Sequence, residues 1–172
     1  WAAGNDGKVI RSEDGGKIWT EQKTPVRVHL QDIGAWSPEK AVAVGNQGVV
    51  IVTQDGGKTW KEVESPKSSV ANKLMRVRVS PDGTAWAVGE MGVILRSKDF
   101  GASWERMVKE EDVAWNDGYF FDSRSGVVVG EFGRIMATAD AGKTWRPVAS
   151  PGKSSLMGVR FRDAEHGVAV GM

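Results

Sequence analysis

The residues of this sequence best equipped for chemistry are acidic and evenly spaced. Asp14, Asp55, Asp99 and Asp140 lie 41, 44 and 41 residues apart. Each follows a Ser or Thr by two positions and precedes Trp19, Trp60, Trp104 or Trp145 by five. A carboxylate set between hydroxyls could bind a cation, exchange a proton, or accept local backbone hydrogen bonds in an Asx-type turn. One role repeated in every unit fits a turn staple better than a single localised reaction. A second set is Asp32, Arg76 and Asp117, which occupy equivalent positions of another repeated segment. Two carboxylates at ~5–10 Å are what a glycosidase requires, with the arginine as a substrate clamp. The alternative is a charge-compensated ring that holds neighbouring units in register. The fourth equivalent position, Gly158, favours the ring.

Other chemistry has little support. There is no cysteine, hence no disulfide, thiolate ligand or cysteine nucleophile. The two histidines, His29 and His166, fall at different places in their units and read as solvated or turn residues. No calcium loop, zinc helix, serine elbow or dinucleotide fingerprint is present, so neither metal nor cofactor is expected. A formal net charge of +1 argues against nucleic acid. Charged residues at 26% and hydrophobic ones at 40% exclude a disordered chain. No apolar run approaches the ~20 residues of a spanning helix.

The elements that position these residues repeat with them. A small apolar strand ending in glycine precedes each aspartate: Ala2-Ala3-Gly4, Ala43-Val44-Gly45, Ala87-Val88-Gly89 and Val128-Val129-Gly130, with a fifth copy at Ala169-Val170-Gly171. A second glycine follows at Gly7, Gly48, Gly92 and Gly133, which predicts a tight hairpin. β-Branched runs such as Val49–Val52 come next, and the tryptophan opens a further strand. An earlier strand aligns as Leu30–Ala35, Leu74–Val79, Trp115–Phe120 and Leu156–Phe161. Four short antiparallel strands every ~42 residues predict an all-β chain, a β-propeller of four-stranded blades.

The eight-residue boxes, such as Thr53-Gln54-Asp55-Gly56-Gly57-Lys58-Thr59-Trp60, resemble the Asp-box repeats of sialidases, xyloglucanases and sortilin-type receptors. The wider unit, with Gly45-Asn46-Gln47-Gly48-Val49 leading into that box, resembles the photosystem II stability/assembly factor family and its non-photosynthetic relatives. The resemblance spans essentially the whole chain. It implies that the boxes are structural, and that the protein is an exported, membrane-associated binder in the periplasm or thylakoid lumen. It also implies seven blades, which need roughly 290 residues. The expectation is therefore a segment of about four blades. Residues 1–29 supply strands three and four of a first blade, after a strand-two end at Trp1–Gly4. Residues 30–73, 74–114 and 115–155 form three blades, and 156–172 supply strands one and two of another. The start at Trp1, without a signal peptide, fits a processed or partial chain.

Partner sites follow from the same frame. The hairpin tips Glu90-Met91 and Glu131-Phe132 carry apolar residues where Asn5-Asp6 and Asn46-Gln47 are polar. They are candidate contacts. Arg76, Arg78, Arg160 and Arg162 on strand one are a second candidate set, suited to carboxylate and protein contacts. Asp32, Arg76 and Asp117 are expected to line the channel. A sialidase would need a tyrosine nucleophile, and Tyr119 is the single tyrosine. The preferred reading is a non-catalytic assembly-factor-like module binding a membrane-protein complex. The alternatives are a carbohydrate hydrolase and a receptor-like binder of glycan or peptide.

Overall fold

The computed structural model describes residues 1–172 and contains only strands, turns and three short 3-10 turns. A three-stranded sheet comes first, with β1 (Ala2–Ala3), β2 (Val9–Arg11) and β3 (Thr20–Gln22). The first full blade has β4 (Leu30–Ala35), β5 (Ala41–Gly45), β6 (Val50–Thr53) and β7 (Lys61–Val63). The second has β8 (Leu74–Val79), β9 (Ala85–Gly89), β10 (Ile94–Ser97) and β11 (Glu105–Arg106). The third has β12 (Trp115–Phe120), β13 (Gly126–Gly130), β14 (Ile135–Thr138) and β15 (Arg146–Val148). A two-stranded sheet of β16 (Leu156–Phe161) and β17 (Gly167–Gly171) follows. Every sheet is an antiparallel meander in chain order. The first strands, β4, β8, β12 and β16, lie beside one another, as the inner strands of propeller blades do.

The cores lie between blades, not within them. Val42, Val44, Val50 and Val52 of the first full blade pack with Leu74, Val77, Ala85 and Ala87 of the second. Ala41, Ala43 and Ile51 face the opposite way, toward Val9 and Val26. In β9 the pattern recurs, with Ala85 and Ala87 turned back and Trp86 and Val88 turned forward to Trp115 and Val128. Alternation by two thus gives β5 and β9 a small-residue face and a large-residue face, both buried. This is why these strands read as continuous apolar runs.

The hairpins use their two glycines for different reasons. The first glycine of each Gly-x-x-Gly is extended, with Gly45 at φ −167°. Its missing side chain matters because a Cβ there would collide with the His29 carbonyl. Positive φ falls instead on the second glycine and on the residue before it: Asp6, Gln47, Met91 and Phe132, at φ 55–61°.

Candidate functional site

The four boxes share one hydrogen-bond scheme. Thr53 Oγ1 donates to Asp55 Oδ1 at 2.9 Å and accepts from Gly57 N at 2.8 Å. Asp55 then accepts from Thr59 N at 2.9 Å and from Thr59 Oγ1 at 2.7 Å. The main backbone donor thus lies four residues on, two further than in a simple Asx turn. Asp99 with Ser97 and Ser103, and Asp140 with Thr138 and Thr144, repeat the scheme. In the first box Ile18 offers only its N–H, 3.0 Å from Asp14 Oδ1. The Thr59 hydroxyl and N–H hold Asp55 down at about 2, and those of Thr144 do the same for Asp140. Asp14, bonded chiefly to Ile18 N and the Ser12 hydroxyl, is also lowered. For Asp99, burial pulls upward but the Ser103 bonds prevail and the net shift is downward. Carboxylates held this low are poor proton donors, and in the second to fourth boxes three hydrogen bonds already occupy each one.

The boxes also contact the preceding blade. The second box glycine has φ of 84°, 81° and 76° at Gly57, Gly101 and Gly142. A Cβ there would approach Trp1 Cη2 at 2.9 Å, Val52 Cγ1 at 2.9 Å and Trp86 Cη2 at 2.7 Å respectively. Trp60 is buried and meets Trp1 edge-on at 5.6 Å, while Trp145 meets Trp86 at 6.0 Å. The indoles of Trp19 and Trp104 donate to Gly16 O and Gly101 O, both at 2.9 Å. Trp19 remains 45% exposed.

The inner strands carry a different arrangement. Each has a register shift after its first residue, so Asp32, Arg76, Asp117 and Gly158 pair with Val44, Val88, Val129 and Val170. Two positions later stand Gly34, Arg78, Tyr119 and Arg160. Arg78, not Arg76, bridges the aspartates: its Nη1 donates to Asp32 Oδ2 at 2.8 Å and its Nη2 to Asp117 Oδ1 at 2.5 Å. The ring expected through Arg76 is thereby corrected, because the side chain two residues further along the strand reaches across both neighbouring blades. Asp117 also accepts from Arg160 Nη1 at 2.6 Å, Val159 N at 3.1 Å and Gly118 N at 2.9 Å. Asp32 accepts from Val77 N at 3.0 Å. Each aspartate thus ties down the inner strand of the next blade. This occupies both oxygens of Asp117 and Oδ2 of Asp32, the pair that a hydrolase would need free. Arg76 donates to the Met75 carbonyl at 2.8 Å and has no carboxylate within salt-bridge reach.

The tips divide in two. Glu90 Oε2 accepts from Lys73 N at 3.2 Å and Glu131 Oε2 from Ala114 N at 2.7 Å, so both acids cap the entry of an inner strand. Met91 is half-buried, and its carbonyl accepts from Arg106 Nη2 at 2.8 Å. Phe132 is 66% exposed while held at φ 57°. The apolar patch expected at Met91 and Phe132 thus reduces to one projecting ring. His29 is exposed, and His166 sits in a turn with Nδ1 2.8 Å from Asp163 Oδ1.

Two features escaped the sequence reading. The Arg78 bridge follows from an Asp at one inner position and an Arg two later on the next blade. The hydroxyls of Thr24 and Ser65, each preceding a proline, donate to Gly7 O at 2.6 Å and Gly48 O at 2.5 Å. A recurring Ser/Thr-Pro in the connectors was their legible signal.

Fold and site together define an Asp-box β-propeller whose boxes and inner-strand ion pairs bind blade to blade. Within that class, the family model described as photosynthesis system II assembly factor YCF48 matches residues 17–114, and the chain belongs to that family. No curated protein matches the chain. Among solved structures, "YCF48 bound to D1 peptide" is 19% identical with TM-score 0.69, covering 91% of this chain and 51% of that one. YCF48 from Cyanidioschyzon merolae is 15% identical with TM-score 0.71, covering 97% and 61%. The Niastella koreensis GH74 enzyme is 18% identical with TM-score 0.58, covering 95% and 26%. The chain thus spans about half to three fifths of the YCF48 structures it matches. At these identities the structural likenesses define the fold. No helix is long and apolar enough to cross a membrane.

Proposed function

We propose that the chain is part of a non-catalytic assembly-factor module that receives a polypeptide segment of a membrane-protein complex. The binding face is the channel mouth on the hairpin-tip side, where Arg76 and Phe132 are the principal contacts. Arg76 carries the reading: it is an inner-strand cation with no ionic partner, one hairpin from the tips. Its neighbour Arg78 is fully engaged in joining blades. An unpaired guanidinium in a channel is suited to a carboxylate or a carbonyl-rich segment. The family assignment and the likeness to a YCF48 bound to a peptide support a polypeptide ligand. The module works outside the cytoplasm, in periplasm or thylakoid lumen, and is held at the membrane by its partner. Cell fractionation of a tagged protein tests that placement.

Saturation of Asp117 by four donors supports a binding role over a hydrolytic one. The test is cross-linking of tagged protein to solubilised membrane complexes, with Arg76→Glu and Phe132→Ala alongside. Loss of a specific cross-link in Arg76→Glu is expected. Turnover of a xyloglucan oligosaccharide by the purified chain would overturn the reading.

A further inference from the structure

A cleft of about 400 Å³ lies between the second and third full blades, away from the channel. Met107, Trp115, Met136 and Trp145 form its walls, and Lys109 and Lys143 stand at its rim. The connector that borders the cleft is held to its tip through Val113 O, which accepts from Gly92 N, and Glu111 N, which donates to Met91 O. The connectors after β3 and β7 are drawn onto the hairpin tips by the hydroxyls of Thr24 and Ser65. The connector after β11 reads Val108-Lys109-Glu110-Glu111 and has no such hydroxyl or proline. The space beside Lys58, between the first sheet and the first full blade, is lined instead by polar Arg11, Glu13, Thr20 and Gln22.

The rim charges specify the ligand. Glu110 accepts from Ser69 N and Ser69 Oγ, and Glu111 is paired with Arg134. Neither forms an ion pair with Lys109 or Lys143, which are exposed and free to meet a carboxylate from outside. Lys143 belongs to the box turn and Lys109 to the connector at the other end of the blade. One ammonium therefore stands at each end of an apolar slot walled by two indoles and two thioethers. Such walls are adaptable and favour large apolar side chains.

We infer that this cleft docks an extended peptide segment of a partner protein, carrying a large apolar side chain flanked on both sides by acidic residues. A single-headed amphiphile would satisfy one lysine and leave the other unpaired. The site is separate from the channel, so one module would grip a partner at two points.

The test uses a dye-labelled peptide, acetyl-Asp-Asp-Leu-Phe-Asp-Asp-amide, followed by fluorescence anisotropy. Its counterpart has lysines in place of the aspartates. Saturable binding of the acidic peptide only is expected, weakening as salt rises. Lys109→Glu with Lys143→Glu should weaken it about tenfold or more. Both lysines are exposed, and an unchanged melting curve would verify folding. Arg76→Glu should leave binding unchanged. Absence of saturable binding, equal binding of the basic peptide, or indifference to the lysine reversals would overturn the inference. Loss of binding in Arg76→Glu alone would do so too, by moving the peptide to the channel.

Discussion

The box end and the channel end of each blade are built on opposite rules. At the box end the same residues recur and make the same bonds, from Asp55 with Thr59 to Asp140 with Thr144. Along the channel the equivalent positions are Asp32, Arg76, Asp117 and Gly158, and only the two aspartates share a role, each holding the inner strand of the next blade. Both ends join blades, one by packing glycines against a neighbour's side chains, the other by ion pairs. The lesson is that repetition marks what every blade needs, and departures mark where a binding role can be placed. Arg76 and Phe132 are both departures.

That contrast can be broken by substitution. The largest effect is expected at the channel end. Asp117→Ala leaves the buried N–H groups of Gly118 and Val159 without their acceptor and takes one of two carboxylates from Arg78, and should cost about 3 kcal/mol in denaturant unfolding. At the box end, Gly101→Ala forces φ 81° on a residue with a Cβ and presses it against Val52. A loss of about 2 kcal/mol is expected. Gly16→Ala, which meets only Trp19 at 3.7 Å, should cost distinctly less in the same assay. Phe132→Gly should stabilise the fold by up to about 1 kcal/mol, because glycine accepts φ 57° without strain. It should also weaken partner cross-linking, which would mark the ring as retained for binding.

The smallest effect sharpens the comparison between boxes. Ile18→Thr supplies the missing hydroxyl, and NMR titration should find the Asp14 carboxyl moved further down, toward the value of about 2 held by Asp55. The sign of the pH effect follows from these shifts. A carboxyl lowered from 3.8 to about 2 on folding adds stability that is complete above about pH 4. That contribution is lost as pH falls through about 2. Acid titration of Thr59→Val, monitored by tryptophan fluorescence, should lose part of this dependence.

The sequence displayed the blades because their signals are local. Gly45, Gly48, Asp55 and Trp60 act within a few residues of one another, and a turn imposes its chemistry wherever it occurs. Strand pairing followed from the glycine hairpins and from the repeated order of segments in each unit. What stayed hidden depends on contacts about 40 residues away in the chain. Arg76 and Arg78 look alike on paper and share a face of the strand, but only the second, two residues further along, lies between Asp32 and Asp117 of the neighbouring blades. Met91 looked as exposed as Phe132 until Arg106 and the connector were folded against its tip. The cleft beside Trp145 is lined by Met107 of one blade and Trp115 and Met136 of the next, which only the fold brings together.

The two unlike faces of strands β5 and β9 carry one more consequence. A blade meets its neighbours through different surfaces, small residues behind and large residues in front, so the contact is heterologous and directional. A directional contact repeated at a fixed rotation has only two outcomes, a closed ring or a helix that never closes. Which one forms depends on the angle that Ala85 and Ala87 allow against Val42 and Val44. Exchanging one alanine for valine would then act like a shim in an arch: a small error at one joint, multiplied at every repetition.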